Sequence, residues 1–131
     1  MSGTLLLDTH VYVWAVSAPG RLSAAAREAI LRTETTLLVS AASAWEMAIK
    51  HRAGRWPEAE PLIRQHAEVV ARLGAHALPI TAEHAIRAGG LPWSHTDPFD
   101  RVLAAQALVL GATLVSRDAA FTELLGLSLL W

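Results

Sequence analysis

The chain has 131 residues, of which 53% are hydrophobic and 18% charged, with a formal net charge of −1; that is the composition of one packed globular domain, not of a disordered or fibrous chain. So even a balance excludes a global basic footprint, and any contact with nucleic acid has to come from a local patch. Cysteine is absent, which excludes disulfides and thiolate zinc sites.

The opening MSGTLLLDTH has no basic region before its short apolar run, so it reads as no signal peptide. TLLLD (4–8) reads as a buried strand that ends in an aspartate. HVYVWAV turns away as a helix closed by Pro19-Gly20. Good helix formers behind an N-cap serine predict a helix over 23–33, and TTLLVS (35–40) is a second strand. Ser40 caps a helix over 41–54 that stops at Gly54, and 57–74 reads as one amphipathic helix ending in glycine. HALPI (76–80) is a weak strand, and Thr81 caps AEHAIRAGG. A helix over 97–111 leads to the strand ATLVS (112–116); a short helix in RDAAFTELLG and a last strand in LSLLW complete the chain. The longest apolar stretch, 102–115, is interrupted by Gln106, Gly111 and Thr113 and is too short to span a bilayer. A soluble cytoplasmic protein without membrane contact is the expectation.

Short apolar strands alternating with helices predict a three-layer α/β/α fold with a mostly parallel central sheet, formed by a single domain over residues 1–131. In such sheets ligands sit outside the carboxyl ends of the strands. The chain has only four aspartates, and three of them, Asp97, Asp100 and Asp118, fall in one apolar segment. The fourth, Asp8, ends the first strand. Asp118 lies just past ATLVS, Asp100 in the first turn of the preceding helix, and Glu46 early in the helix after the second strand. If the first strand and ATLVS are neighbours, Asp8, Glu46, Asp100 and Asp118 converge.

Structural roles compete for some of these acids. Asp97-Pro98-Phe99-Asp100 is a helix start, with Asp97 as N-cap, proline at N1 and an acid at N3. Asp118 is placed to cap the short helix after it. Asp8 and Glu46 lie in apolar surroundings, where a carboxylate is costly unless paired or bound to a cation. A hard divalent ion, Mg²⁺ or Mn²⁺, accepts oxygen ligands and needs neither cysteine nor histidine.

LLLDTHVYVW, SAASAWEMAIKHRAG, HTDPFDRVLAAQAL and TLVSRDAAF, in this order and spacing, resemble the PIN-domain family, and most nearly the VapC-type toxins of toxin–antitoxin pairs. The likeness covers essentially the whole chain. It implies a Mg²⁺- or Mn²⁺-dependent endoribonuclease, dimeric, inhibited by a small cognate antitoxin. The family's acidic quartet falls on Asp8, Glu46, Asp100 and Asp118, which the resemblance makes catalytic and metal-binding, with Thr9 and Ser116 as nearby hydroxyl positions and Asp97 as a further secondary candidate. Phosphodiester hydrolysis needs an activated water and a cation for the phosphate oxygens, which carboxylate-held metal supplies.

Lys50, His51, Arg52 and Arg55 cluster after Glu46, and Arg101 and Arg117 adjoin two of the acids; these are the candidate phosphate contacts for an RNA substrate. Lys50 and Arg52 equally suit the C-terminal end of their helix. The five tryptophans are expected in core or interface more than as base-stacking platforms. Among the histidines, His95 stands nearest the acids. An aspartyl-phosphate protein is the rival enzyme class, but His10 stands where its phosphatase members carry a second aspartate, and the only lysine is Lys50. A catalytically inactive RNA- or protein-binding module on the same fold is the alternative to the enzyme.

Overall fold

The structure, a computed structural model, describes residues 3–131. Five strands, β1 (Thr4–Leu7), β2 (Thr36–Ser40), β3 (Ala75–Leu78), β4 (Thr113–Val115) and β5 (Ser128–Leu130), form one sheet in the order β3-β2-β1-β4-β5, and every pairing is parallel. Helices α1 (Thr9–Ser17), α2 (Ala24–Leu31), α3 (Ala41–Arg52), α4 (Glu60–Arg64), α5 (His66–Arg72), α6 (Ala82–Gly90) and α7 (Pro98–Leu110) make the crossovers. This is the three-layer α/β/α architecture that the alternation predicts.

Strand order explains where a site can form. The chain builds outward from β1 through β2 to β3, then returns by α6 and α7 to lay β4 on the other side of β1. The crossovers therefore diverge between β1 and β4, and a crevice opens at the carboxyl ends of these two strands. The adjacency of the first strand and ATLVS, on which convergence of the acids rests, is real, with Leu5, Leu6 and Leu7 opposite Thr113, Leu114 and Val115.

Strand alternation divides the core into two halves. Leu5, Leu7, Leu37, Val39 and Val115 pack on one face with Val11, Tyr12, Leu62 and Val70. Leu6 and Leu114 pack on the other with Leu103, Ala107 and Phe121. Because both faces are covered, the strands read as nearly continuous apolar runs instead of alternating ones.

Element ends follow capping chemistry. Ser23 accepts from the Ala26 amide, Ser40 from Ala42, and Thr81 exchanges a capping box with His84 at the start of α6. α7 stops at Gly111, whose φ of 64° is left-handed backbone that glycine adopts freely.

Three predicted elements differ. The helix expected over 57–74 is broken into a 3₁₀ turn at Pro57–Ala59, then α4 and α5. Pro57 and Pro61 remove amide donors from its first turns, and Gln65 leaves helical geometry at φ −116° and ψ 35°; nothing in the side-chain pattern marks that second break. β3 ends at Leu78 because Pro79 has no amide to continue the ladder. The segment after Asp118 is a 3₁₀ turn, Ala119–Glu123, instead of an α-helix. Among the described residues no helix is long and apolar enough to cross a membrane.

A buried polar cluster ties α7 to the sheet. Gln106, fully buried, accepts from the Ser40 hydroxyl at 2.6 Å through Oε1. Its Nε2 donates to the Pro79 carbonyl at 3.1 Å and faces His84 Nδ1 at 3.2 Å. Replacing Gln106 with leucine keeps the volume but strands these partners, each costing roughly 1–3 kcal/mol when left unpaired. The expected result is a clearly lower urea midpoint at unchanged m-value; an unshifted midpoint would show that the network does not stabilise the fold.

Candidate active site

Asp8 follows β1 and Ser116 follows β4, one step beyond the Leu7–Val115 pair, so the register sets them side by side. The Asp8 amide donates to the Val115 carbonyl at 3.0 Å. The Ser116 hydroxyl donates to Asp8 Oδ2 at 2.7 Å, while Asp8 Oδ1 accepts from the Thr9 amide at 2.6 Å. Ser116 Oγ in turn accepts from the Asp118 amide at 3.0 Å. Both ends of the crevice are thus joined through one buried serine, Asp8 at the mouth of β1 and Asp118 at the mouth of β4.

Glu46 comes from the middle of α3 and is 4% exposed. Its Oε2 pairs with Lys50 Nζ, one helical turn on, at 2.5 Å. Asp97 caps α7 by accepting from the Phe99 and Asp100 amides at 2.9 and 3.0 Å, and the residue also lines the crevice. Asp100, in the first turn, meets His95 Nε2 at 2.7 Å. Asp118 is exposed and caps the 3₁₀ turn by accepting from the Ala120 amide at 2.9 Å.

Asp8, Glu46, Asp97, Asp100 and Asp118 all face one cavity of about 700 Å³. The sequence assigns that place to four of them, and the fifth, Asp97, does its capping work there too. Burial pushes the Asp100 carboxyl up to about 7; the His95 hydrogen bond opposes this, and the charges of Asp97, Asp8 and Glu46 add to it. Asp8 is also raised, chiefly by burial and slightly by Glu46, against the Ser116 and Thr9 hydrogen bonds and the nearby His10.

Every donor atom that the pocket offers in quantity is a carboxylate oxygen, the ligand type of Mg²⁺ and Mn²⁺. Among the described residues no three histidine, aspartate or glutamate side chains stand arranged to hold a metal ion as placed. As placed, Glu46 pairs with Lys50, Asp100 with His95, and Asp118 with the Ala120 amide of its own turn. These are single exchangeable contacts at the pocket wall, and the donor set fits a hard cation that keeps part of its water shell.

The other predicted residues separate. Arg117 and Lys50 line the acidic cavity. Arg52 is exposed and lines no part of it, and Arg55 stands on its flank. Arg101 is not free for a substrate. Its guanidinium donates to the carbonyls of Ala88, Trp93, His95 and Leu91 at 2.8–2.9 Å and of Gly89 at 3.4 Å. It therefore clamps the end of α6 and the following loop that carries His95, which no spacing rule could reveal. The Thr9 hydroxyl faces Ser43 Oγ at 2.9 Å, in the protein interior. Trp14, Trp56 and Trp93 are buried, whereas Trp45 and Trp131 are exposed at 53% and 37%.

The Asp100 shift sets a pH dependence in metal-free protein. A carboxyl whose folded pKa is about 7, against an ordinary 3.8, gives stability that is full below about 4 and is lost as pH rises through about 7. Asparagine at 100 stays neutral throughout. In chelator, the melting temperature of Asp100→Asn should therefore exceed that of the native chain by a margin that widens from pH 5 to pH 8; a margin independent of pH would show that Asp100 ionises normally.

Comparison with known proteins places the fold. The PIN domain family matches residues 5–126. Ribonuclease VapC22 of Mycobacterium tuberculosis is 39% identical over 119 residues, covering 88% of this chain and 87% of that protein. A chain in the crystal structure of VapBC2 from Rickettsia felis, bound to a DNA fragment from their promoter, superposes with a TM-score of 0.71 at 17% identity, over 97% of each chain. A chain of DNA-bound VapBC from Salmonella typhimurium gives 0.67 at 19% identity, over 98% of this chain and 97% of that one. With its parallel five-stranded sheet and its acids at the β1–β4 crevice, the chain belongs to the PIN-domain family, among the VapC-type proteins.

Proposed function

We propose that this chain is a Mg²⁺- or Mn²⁺-dependent endoribonuclease, the toxin of a toxin–antitoxin pair, acting as one PIN-like domain over residues 1–131. The observation that carries this reading is the convergence of five carboxylates on one cavity at the sheet's switch point, where burial and mutual repulsion raise Asp8 and Asp100. A cation relieves the repulsion and burial cost of such a cluster. The 39% identity to a ribonuclease over most of both chains supports the same substrate class.

Asp8 and Asp118 would hold the ion from the two strand ends, with Glu46 and Asp100 completing the shell or orienting water. When bound, the ion supplies positive charge for the phosphate oxygens and makes a water more acidic. The protein does the rest. Ser116 orients Asp8 by donating to Oδ2 and accepts from the Asp118 amide on the same hydroxyl. His95 holds Asp100 toward the cavity, with Arg101 anchoring its loop. Lys50 and Arg117 place positive charge at the rim, where backbone phosphates gain from it without base selection.

A small antitoxin is the expected partner, in line with the VapBC assemblies that the fold resembles, and the protein is proposed to work in the cytoplasm as a homodimer. Leu31, Ile86 and Leu125 are more than 70% exposed, and Trp45 also faces out, so apolar surface remains for both contacts to cover.

Asp97 and Asp100 separate the capping role from the metal role. Asp97→Asn keeps a competent N-cap and should cleave RNA within a few-fold of the native chain. Asp100→Asn should lose activity by two or more orders of magnitude while folding normally, and EDTA should abolish native activity. Cleavage of a mixed RNA pool by gel assay checks all three; full activity in EDTA, or a dead Asp97→Asn beside a normal Asp100→Asn, would refute the assignment.

A further inference from the structure

A second cavity, of about 340 Å³, adjoins the acidic one. The two share His10, Trp14, Arg21 and Lys50, so they are the two ends of one trough. Arg55, Trp56 and Glu58 close the far end. The charge reverses along it: with Arg21 and Lys50 shared between the two, the acidic end adds five carboxylates and Arg117, whereas the far end adds only Arg55 and Glu58.

The cations are not used up internally. Lys50 is bound to Glu46, but the ion pairs among the described residues, Arg32–Glu28, Lys50–Glu46, Arg64–Glu60 and His95–Asp100, leave Arg21 and Arg55 without an acidic partner. Both arginines are exposed. Their surroundings are aromatic and fixed. His10 stacks on Trp56 with ring centres 4.6 Å apart and planes 28° apart, and the Arg21 guanidinium lies 4.8 Å over Trp14. Trp14 and Trp56 are buried and act as backing; the exposed His10 ring and Arg21 plane, each braced on an indole, are what the trough presents.

Braced planar groups beside unpaired arginines suit a single nucleic-acid strand, because planes stack on bases and guanidinium groups neutralise phosphates. We infer that this basic arm of the trough is a subsite for the nucleotide flanking the cleaved bond, in which Arg21 and Arg55 contact backbone phosphates and His10 stacks on a base. The inference rests on the ribonuclease reading for the phosphate's neighbour in the acidic arm. Contacts of this kind grip any single strand and select no sequence.

The test measures binding of a fluorescein-labelled eight-nucleotide oligouridylate by anisotropy in EDTA, from 50 to 200 mM KCl, with melting curves to confirm folding. The Arg21→Gln/Arg55→Gln protein should bind about tenfold more weakly at low salt, and its salt slope should fall by about 1.4, or ~0.7 for each phosphate contact to a single strand. His10→Ala should bind about fivefold more weakly with an unchanged slope, because stacking releases no counterions. In Mn²⁺, the double variant should also raise KM for RNA cleavage about tenfold. A native protein that binds the oligonucleotide as expected but never cleaves refutes the ribonuclease reading and leaves the subsite standing. Native affinity and slope in the double variant overturn the subsite, as does a loss confined to hexaglutamate binding, which would make the arm a dock for an acidic protein segment.

Discussion

Parallel pairing between β1 and β4 is the constraint on which the site depends. With Leu7 opposite Val115, the next residue on each strand leaves the ladder at the same level, and Ser116 reaches Asp8 at 2.7 Å. A shift of one residue would exchange the two core faces, putting Leu6 where Leu5 and Leu7 belong, and would carry Asp8 away from the serine. Packing of the leucines thus fixes the position of a carboxylate that packing alone would exclude. The hydrophobic register and the polar site are one specification.

That specification places charge where the fold alone would not. Asp8 and Glu46 are buried, and Asp100 is raised to about 7 by burial and its acidic neighbours. The chain moderates this locally, through Lys50 on Glu46, His95 on Asp100 and Ser116 on Asp8. Each is a single contact that a stronger counter-charge could replace. Around the acids, structural work is done by residues that resemble ligands in sequence: Asp97 caps a helix, and Arg101 holds the end of α6 and the loop after it through five carbonyls.

Much of this was legible from residues alone. Short apolar runs gave the strands, Ser23, Ser40 and Thr81 marked helix starts, and the scarcity of aspartate drew attention to Asp8, Asp100 and Asp118. What sequence could not show was geometry between distant segments. Arg101 adjoins an acid in sequence, yet its guanidinium points to the loop after α6. Arg21 and His10 belong to no basic cluster, and only folding brings them beside Arg55 and Trp56. The break at Gln65 lacks a sequence mark because its neighbours keep helical composition while the backbone turns.

The central claim is that the converging acids form a cation site, and the most direct measurement is calorimetric titration of Mn²⁺ into chelator-stripped protein at pH 8, with Asp8→Asn and Asp97→Asn alongside. Saturable binding to the native chain is expected, retained in Asp97→Asn and lost or strongly weakened in Asp8→Asn. No saturable binding up to millimolar Mn²⁺, or binding that Asp8→Asn leaves unchanged, would contradict it.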